Sequence, residues 1–174
     1  MNQALVVVLS LLVLLLIGIV FLFFYMRGLH VDVQQTWLNL LERLNVRLDK
    51  VPNLIETLRK FPAGDEKFLQ DVIDLRAQAW PLDRPDKKRV YVELMLAAEL
   101  TKCFELAGKV PYLKKDTNFL ALRTEFGQIA QEIDERTNEY NKKARRYNGA
   151  LEFFLFKLFS LLLGFRRQAI LEFE

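Results

Sequence analysis

Residues 4–26, ALVVVLSLLVLLLIGIVFLFFYM, are apolar at every position except Ser10 and Gly18, a run of 23. About 20 residues of helix cross the hydrocarbon core of a bilayer, so this run is long enough to span one. The pattern then turns from continuous to periodic. Val33, Trp37, Leu40, Leu44, Leu48, Val51, Ile55 and Leu58 recur in seven steps with a mean near 3.6, the period of an amphipathic helix. Pro52 falls inside that stripe. It lacks the N–H that would bond the Leu48 carbonyl, so a kink or restart is expected near residues 48–52, and Pro62-Ala63-Gly64 ends the helix. Between the run and the stripe only Gly28 could break the helix, and one glycine costs roughly 1 kcal/mol relative to alanine. An anchor continuous with the first helix and one jointed at Gly28 both fit the pattern.

Asp65 is placed to cap a second helix whose stripe is Phe68, Val72, Leu75 and Ala79, and Trp80-Pro81 stops it because a residue before proline avoids the α region. Leu82-Asp83-Arg84-Pro85 reads as a loop. Val90, Leu94, Ala97, Thr101, Phe104 and Ala107 mark a third helix that ends at Gly108. Asp116-Thr117 then opens the longest helix, with Phe119, Leu122, Phe126, Ile129, Ile133, Thr137, Tyr140, Ala144, Tyr147 and Leu151 on one face. Its outer face offers Glu132 with Arg136 and Glu139 with Lys143, the favourable i,i+4 order. No comparable stretch alternates like a strand. The expected fold is all-α: a single N-terminal transmembrane helix, an antiparallel bundle of about four long helices, and a short hydrophobic C-terminal helix. The corresponding divisions are an anchor at 1–27, a helical bundle at 28–151 and a C-terminal helix and tail at 152–174.

The apolar run resembles a retained anchor more than a cleaved signal, because Met1-Asn2-Gln3 carries no basic side chain and Phe21 to Met26 is bulky throughout. Phe21, Phe23, Phe24 and Tyr25 followed by Arg27 form the aromatic and basic edge of a span. Arg27, Arg43 and Arg47 follow it, which by the positive-inside rule places the body in the cytoplasm, the alternative being the periplasm. At the other end, ten large apolar residues crowd into thirteen positions from Phe153 to Phe165, and Arg166 and Arg167 come directly after. That segment is too short to span a bilayer alone. Two readings stand: packing into the bundle, or contact with lipid or another subunit through Phe153, Phe154, Phe156, Phe159 and Phe165, with Arg166 and Arg167 on anionic phosphates.

Charge and chemistry narrow the function classes. A net charge of +3 from 25 basic and 22 acidic residues is far from the concentrated field of a nucleic-acid binder, so nucleic acid is not an expected partner. Cys103 is the only cysteine and reads as a core thiol, which excludes an intramolecular disulfide. His30 is the only histidine, so a metal site or a catalytic pair built on histidine lacks its parts. Neither GxxxxGK[ST] nor GxGxxG occurs. Glu93, Glu99 and the carboxylates of the longest helix read as solvated acids. Lys87-Lys88-Arg89 and Lys142-Lys143 with Arg145-Arg146 have acids beside them and read as solvated basic faces, the alternative being contact with lipid or an acidic protein. No enzyme, cofactor or metal is expected.

Tyr140-Asn141 and Tyr147-Asn148 repeat seven residues apart, which returns nearly to one helix face and reads as core tyrosines beside register-fixing asparagines. Together with Trp37, the Pro52-Asn53-Leu54 core of the first stripe, the segment VIDLRAQ, Tyr112-Leu113-Lys114, Asn118-Phe119 and Leu120 to Glu125, this order resembles the LemA family of bacterial membrane proteins over nearly the whole chain. The resemblance implies a helical bundle on a single span in the bacterial inner membrane, no active site, and an accessory role beside membrane partners such as membrane zinc proteases. One departure is Phe154-Leu155 where the family pattern leads one to expect Phe-Pro. The resulting expectation is a membrane-anchored scaffold or adaptor that self-associates, touches membrane lipid and engages a membrane protein; a lipid-binding protein with a C-terminal interfacial wedge is the alternative.

Overall fold

Helical periodicity dominates the chain, and the computed structural model, which describes residues 3–60, 66–152 and 164–172, is all-α. Helix α1 runs Gln3–Arg59, α2 Glu66–Ala79, α3 Lys87–Ala107 and α4 Thr117–Glu152, with a 3-10 turn at Leu113–Lys115. No strand occurs among the described residues. The chain falls into two compact units, one of Met1–Gln35 with Lys142–Gln168 and one of Thr36–Asn141 with Ala169–Glu174.

In the first unit the apolar part of α1 is long and hydrophobic enough to cross a membrane, with a mean hydropathy of 3.4 over its best 18 residues and none of that window buried. The helix carries on through Gly28 without a break. Below the run, Met26, Leu29 and Val33 are buried, as are Ala144, Tyr147 and Leu151 of α4. Lys143 Nζ reaches Asp32 at 3.1 Å.

The second unit holds the main core. Leu48, Val51, Leu54, Ile55 and Leu58 of α1 meet Leu69, Val72 and Ala79 of α2, Val92, Leu96, Leu100 and Cys103 of α3, and Phe119 and Phe126 of α4. Asn39 accepts from Arg136, Arg43 pairs with Glu132 at 3.2 Å, and Lys50 with Glu125 at 2.6 Å. As α1 numbers rise, their α4 partners fall in step, so the two helices run antiparallel. The i,i+4 pairs expected on α4 give way to this arrangement: Glu132 and Lys143 reach to α1, because a neighbouring antiparallel helix offers partners at the same rise per turn.

Helix ends follow the sequence closely. Asp116 Oδ1 accepts the Phe119 N–H at 2.7 Å and caps α4, and Asp86 Oδ1 accepts that of Arg89 at 2.8 Å and caps α3. Gly108 closes α3, where a Cβ would stand 3.0 Å from the Phe104 carbonyl. Asp65 and the side chain of Phe68 lie outside the described residues. The register of α3 differs from its expected stripe. Its buried residues are Arg89, Val92, Glu93, Leu96, Leu100, Cys103 and Ala107, whereas Thr101 is exposed and Val90, Leu94 and Ala97 are only partly covered. The helix turns toward the face carrying Glu93 because that carboxylate finds cationic partners inside the unit.

Pro52 does not restart the helix. α1 passes through it unbroken, and the carbonyl it leaves without a partner, Leu48 O, accepts Arg76 Nε–H from α2 at 2.7 Å. The Arg76 guanidinium also lies over the Trp80 ring, 5.2 Å from its centroid. A charged donor thereby replaces the missing amide. Replacing Arg76 with methionine should cost about 1–3 kcal/mol in urea unfolding, the range for an orphaned buried acceptor. The same substitution in a Pro52→Ala background, where residue 52 regains its N–H, should cost clearly less.

Candidate functional site

The Tyr-Asn repeat forms a pair of stations for the C-terminal tail. A primary amide presents a donor and an acceptor side by side, the arrangement that one residue of extended backbone presents in return. In the first unit, Asn148 Nδ2 donates to the Gln168 carbonyl at 2.8 Å and its Oδ1 accepts the Gln168 N–H at 2.9 Å. In the second, Asn141 does the same with Leu171, at 2.6 and 2.8 Å. Tyr140 Oη adds a bond to the Ala169 carbonyl at 3.0 Å, and Leu171 is buried. In these station bonds the tail contributes only main-chain donors and acceptors. Gly164, at φ 74°, turns the chain ahead of this tail in the left-handed region that glycine alone enters freely.

The other residues singled out by sequence divide among several roles. Trp37 is buried, donates Nε1–H to the Asp83 carbonyl at 2.7 Å and meets the Tyr140 ring edge-on at 5.9 Å. Leu54 and Phe119 belong to the core, while Pro52, Asn53 and Asn118 face outward. Tyr147 is buried 5.5 Å from the His30 ring, and its hydroxyl has no acceptor among the described residues. Phe165 lies 6.1 Å from Phe23 and 6.5 Å from His30. Arg166 is exposed, and Arg167 pairs with Glu152. Phe153, Phe154, Phe156 and Phe159, and with them the expected C-terminal helix, lie outside the described residues.

A buried ionic cluster escaped the sequence reading. Glu93, expected in solvent, is 1% exposed and sits between Arg47 of α1, which its Oε2 meets, and Arg89 of α3, whose Nη2 stands 2.6 Å from its Oε1. Arg89, read as part of a solvated basic face, is equally buried and also donates to the Ala79 carbonyl at 2.8 Å and to that of Leu82. Burial draws the Arg89 pKa below its ordinary value, against the upward pull of Glu93. The signal was present in sequence as an i,i+4 pair in register with Leu96, Leu100 and Cys103. The cluster ties α1 to α3 and α3 to the end of α2.

Burial also pushes the Cys103 thiol up to about 12, so at neutral pH it is a protonated core group, as expected from its place in the helix. Tyr140 is raised to about 12 by the same cause.

The family model described as LemA family matches residues 36–174. No curated protein matches the chain. The match holds the bundle helices and both Tyr-Asn stations and leaves the apolar run outside it.

Asn141→Asp keeps the acceptor but turns the donor into a second acceptor facing the Leu171 carbonyl. It should release the tail, seen as at least about tenfold faster exchange of the Leu171 amide, equivalent to 1.4 kcal/mol. Stability should also fall at high pH. The unfolded Tyr140 phenol ionises near 10 and the folded one near 12, so its contribution is whole below pH 10 and is lost as pH climbs to 12. Urea unfolding at pH 9 and pH 12 should differ by on the order of 2 kcal/mol from this group, and Tyr140→Phe should flatten the decline.

Proposed function

Because this chain belongs to the LemA family and its body follows an apolar helix whose membrane-length window is uncovered among the described residues, we propose that it is a membrane-anchored scaffold or adaptor that works through helix-on-helix contact. It acts by holding partners, with no reaction of its own, and it associates with copies of itself in the bacterial inner membrane. The observation that carries this reading is the exposure of the α1 run, where Leu14, Phe21 and Phe24 are each more than 60% exposed. Apolar surface of that extent requires lipid or partner helices. The second unit adds exposed aromatic side chains suited to protein contact, among them Tyr91, Trp80 and Tyr112.

Orientation with the body in the cytoplasm rests on Arg27 and Arg43. Arg47 lies about 20 residues beyond the span, at the edge of the range over which basic residues act. The alternative reading is a lipid-binding protein with a C-terminal membrane wedge, whose residues Phe153, Phe154, Phe156 and Phe159 lie outside the described residues, while Phe165 stands beside Phe23 at the end of the apolar run.

Light scattering coupled to size-exclusion chromatography of the full chain in mild detergent should give a protein mass that is a discrete multiple of 20.5 kDa. A monomer would remove self-association and leave a separate membrane protein as the scaffold's object.

A further inference from the structure

Above the buried cluster the second unit contains a cavity of about 400 Å³ between α1, α3 and α4. That volume falls at the lower end of the range for small-molecule sites. Its walls are mainly apolar, formed by Leu100, Phe104 and Phe126 among others, with the two rings 5.3 Å apart. Arg47 also lines it. Arg123 and Glu105, both exposed, stand at the same cavity with opposite charges that offset each other.

The buried cluster is short of acceptors for its N–H groups. Arg47 and Arg89 share the carboxylate of Glu93, and Asp86 acts on Arg89 as well, so no carboxylate belongs to Arg47 alone. A guanidinium does not deprotonate in a protein, so Arg47 stays charged. The Arg47 side chain is 8% exposed, and its Nε, fully buried, has no hydrogen-bond acceptor. A buried charged donor without an acceptor is unfavourable, and the cavity is the place from which an acceptor could reach Arg47. A charged donor calls for a negatively charged acceptor, and the apolar walls call for an apolar body attached to it.

We propose that this cavity binds a small monoanionic amphiphile, a carboxylate on a short acyl chain, with the acid group at Arg47 and the chain against Leu100, Phe104 and Phe126. The site is independent of the anchor and of the Tyr-Asn stations, and its existence does not depend on the scaffold reading. Gly127 lines the cavity from the outward side of α4, and a Cβ added there meets nothing within 4 Å. A larger side chain at 127 can therefore enter the cavity without disturbing the core, and it replaces a poor helix former.

The test uses the full chain in phosphatidylcholine nanodiscs, titrated calorimetrically with octanoate, octanol and acetate against empty discs. Octanoate should bind saturably at one site per chain, and octanol and acetate at least about tenfold more weakly, because each lacks one of the two features. Gly127→Leu should weaken octanoate by at least about tenfold while leaving thermal unfolding unchanged or raised. Arg47→Met should abolish the preference for octanoate over octanol; should that variant fail to fold, Gly127→Leu and the octanol comparison decide alone. Equal binding of octanol and octanoate, absence of saturable heat, or an unaffected Gly127→Leu variant would each overturn the proposal.

Discussion

Glu93 is a carboxylate removed from water and held by two guanidiniums, and the second unit is organised around it. Taking an ion out of water costs several kcal/mol even after relaxation, and only close partners with further hydrogen bonds offset that cost. Here the partners come from separate elements: Arg47 from α1, and Arg89 from α3 with its reach to the Ala79 and Leu82 carbonyls. The apolar core alone would tolerate rotation of α3 about its axis, since Val90, Leu94 and Phe104 offer a second greasy face. The ions do not tolerate it. Removing one of them strands the others, at roughly 3–5 kcal/mol. The same arrangement fixes the rotation of α3.

Arginine plays a second part, supplying donors to carbonyls that helices leave unpaired. Pro52 deprives Leu48 O of its amide, and Arg76 restores a donor from α2. The end of α2 at Trp80-Pro81 exposes terminal carbonyls, and Arg89 serves Ala79 and Leu82 there. In both places a planar, permanently charged group reaches across from a different helix or turn. At the proline inside α1, α2 packs close enough to supply the donor that the helix itself lacks.

Much of this fold was legible because α1 and α4 are long and strictly periodic. The residues of their expected stripes are buried, Leu122 of α4 only partly, and Leu54, Arg47 and Asn141 are buried beside them. Helix ends were legible where they depend on local chemistry, as at Asp116, Gly108 and Trp80-Pro81. What escaped has a common physical character. Arg76 with Leu48, Arg47 with Glu93 and the asparagines with the tail join polar atoms that lie 20 to 46 residues apart. Hydrophobic period reports which face of a helix is covered, but it carries no information about which distant polar group will meet a charge on that face. Glu93 was misread for that reason, and the meaning of the Tyr-Asn spacing was missed for the same one.

Both stations use the same side chain on the same main-chain groups. Seven residues of α-helix rise about 10.5 Å and return within about 20° of the starting direction. Asn141 and Asn148 are therefore stacked on one side of α4, and they bind Leu171 and Gln168, three residues apart. A β-strand alternates its backbone groups with a period of two, so residues three apart would turn their N–H and C=O to opposite edges. At each station the asparagine reads only main-chain atoms, so the pairing constrains the asparagines far more than the residues they hold.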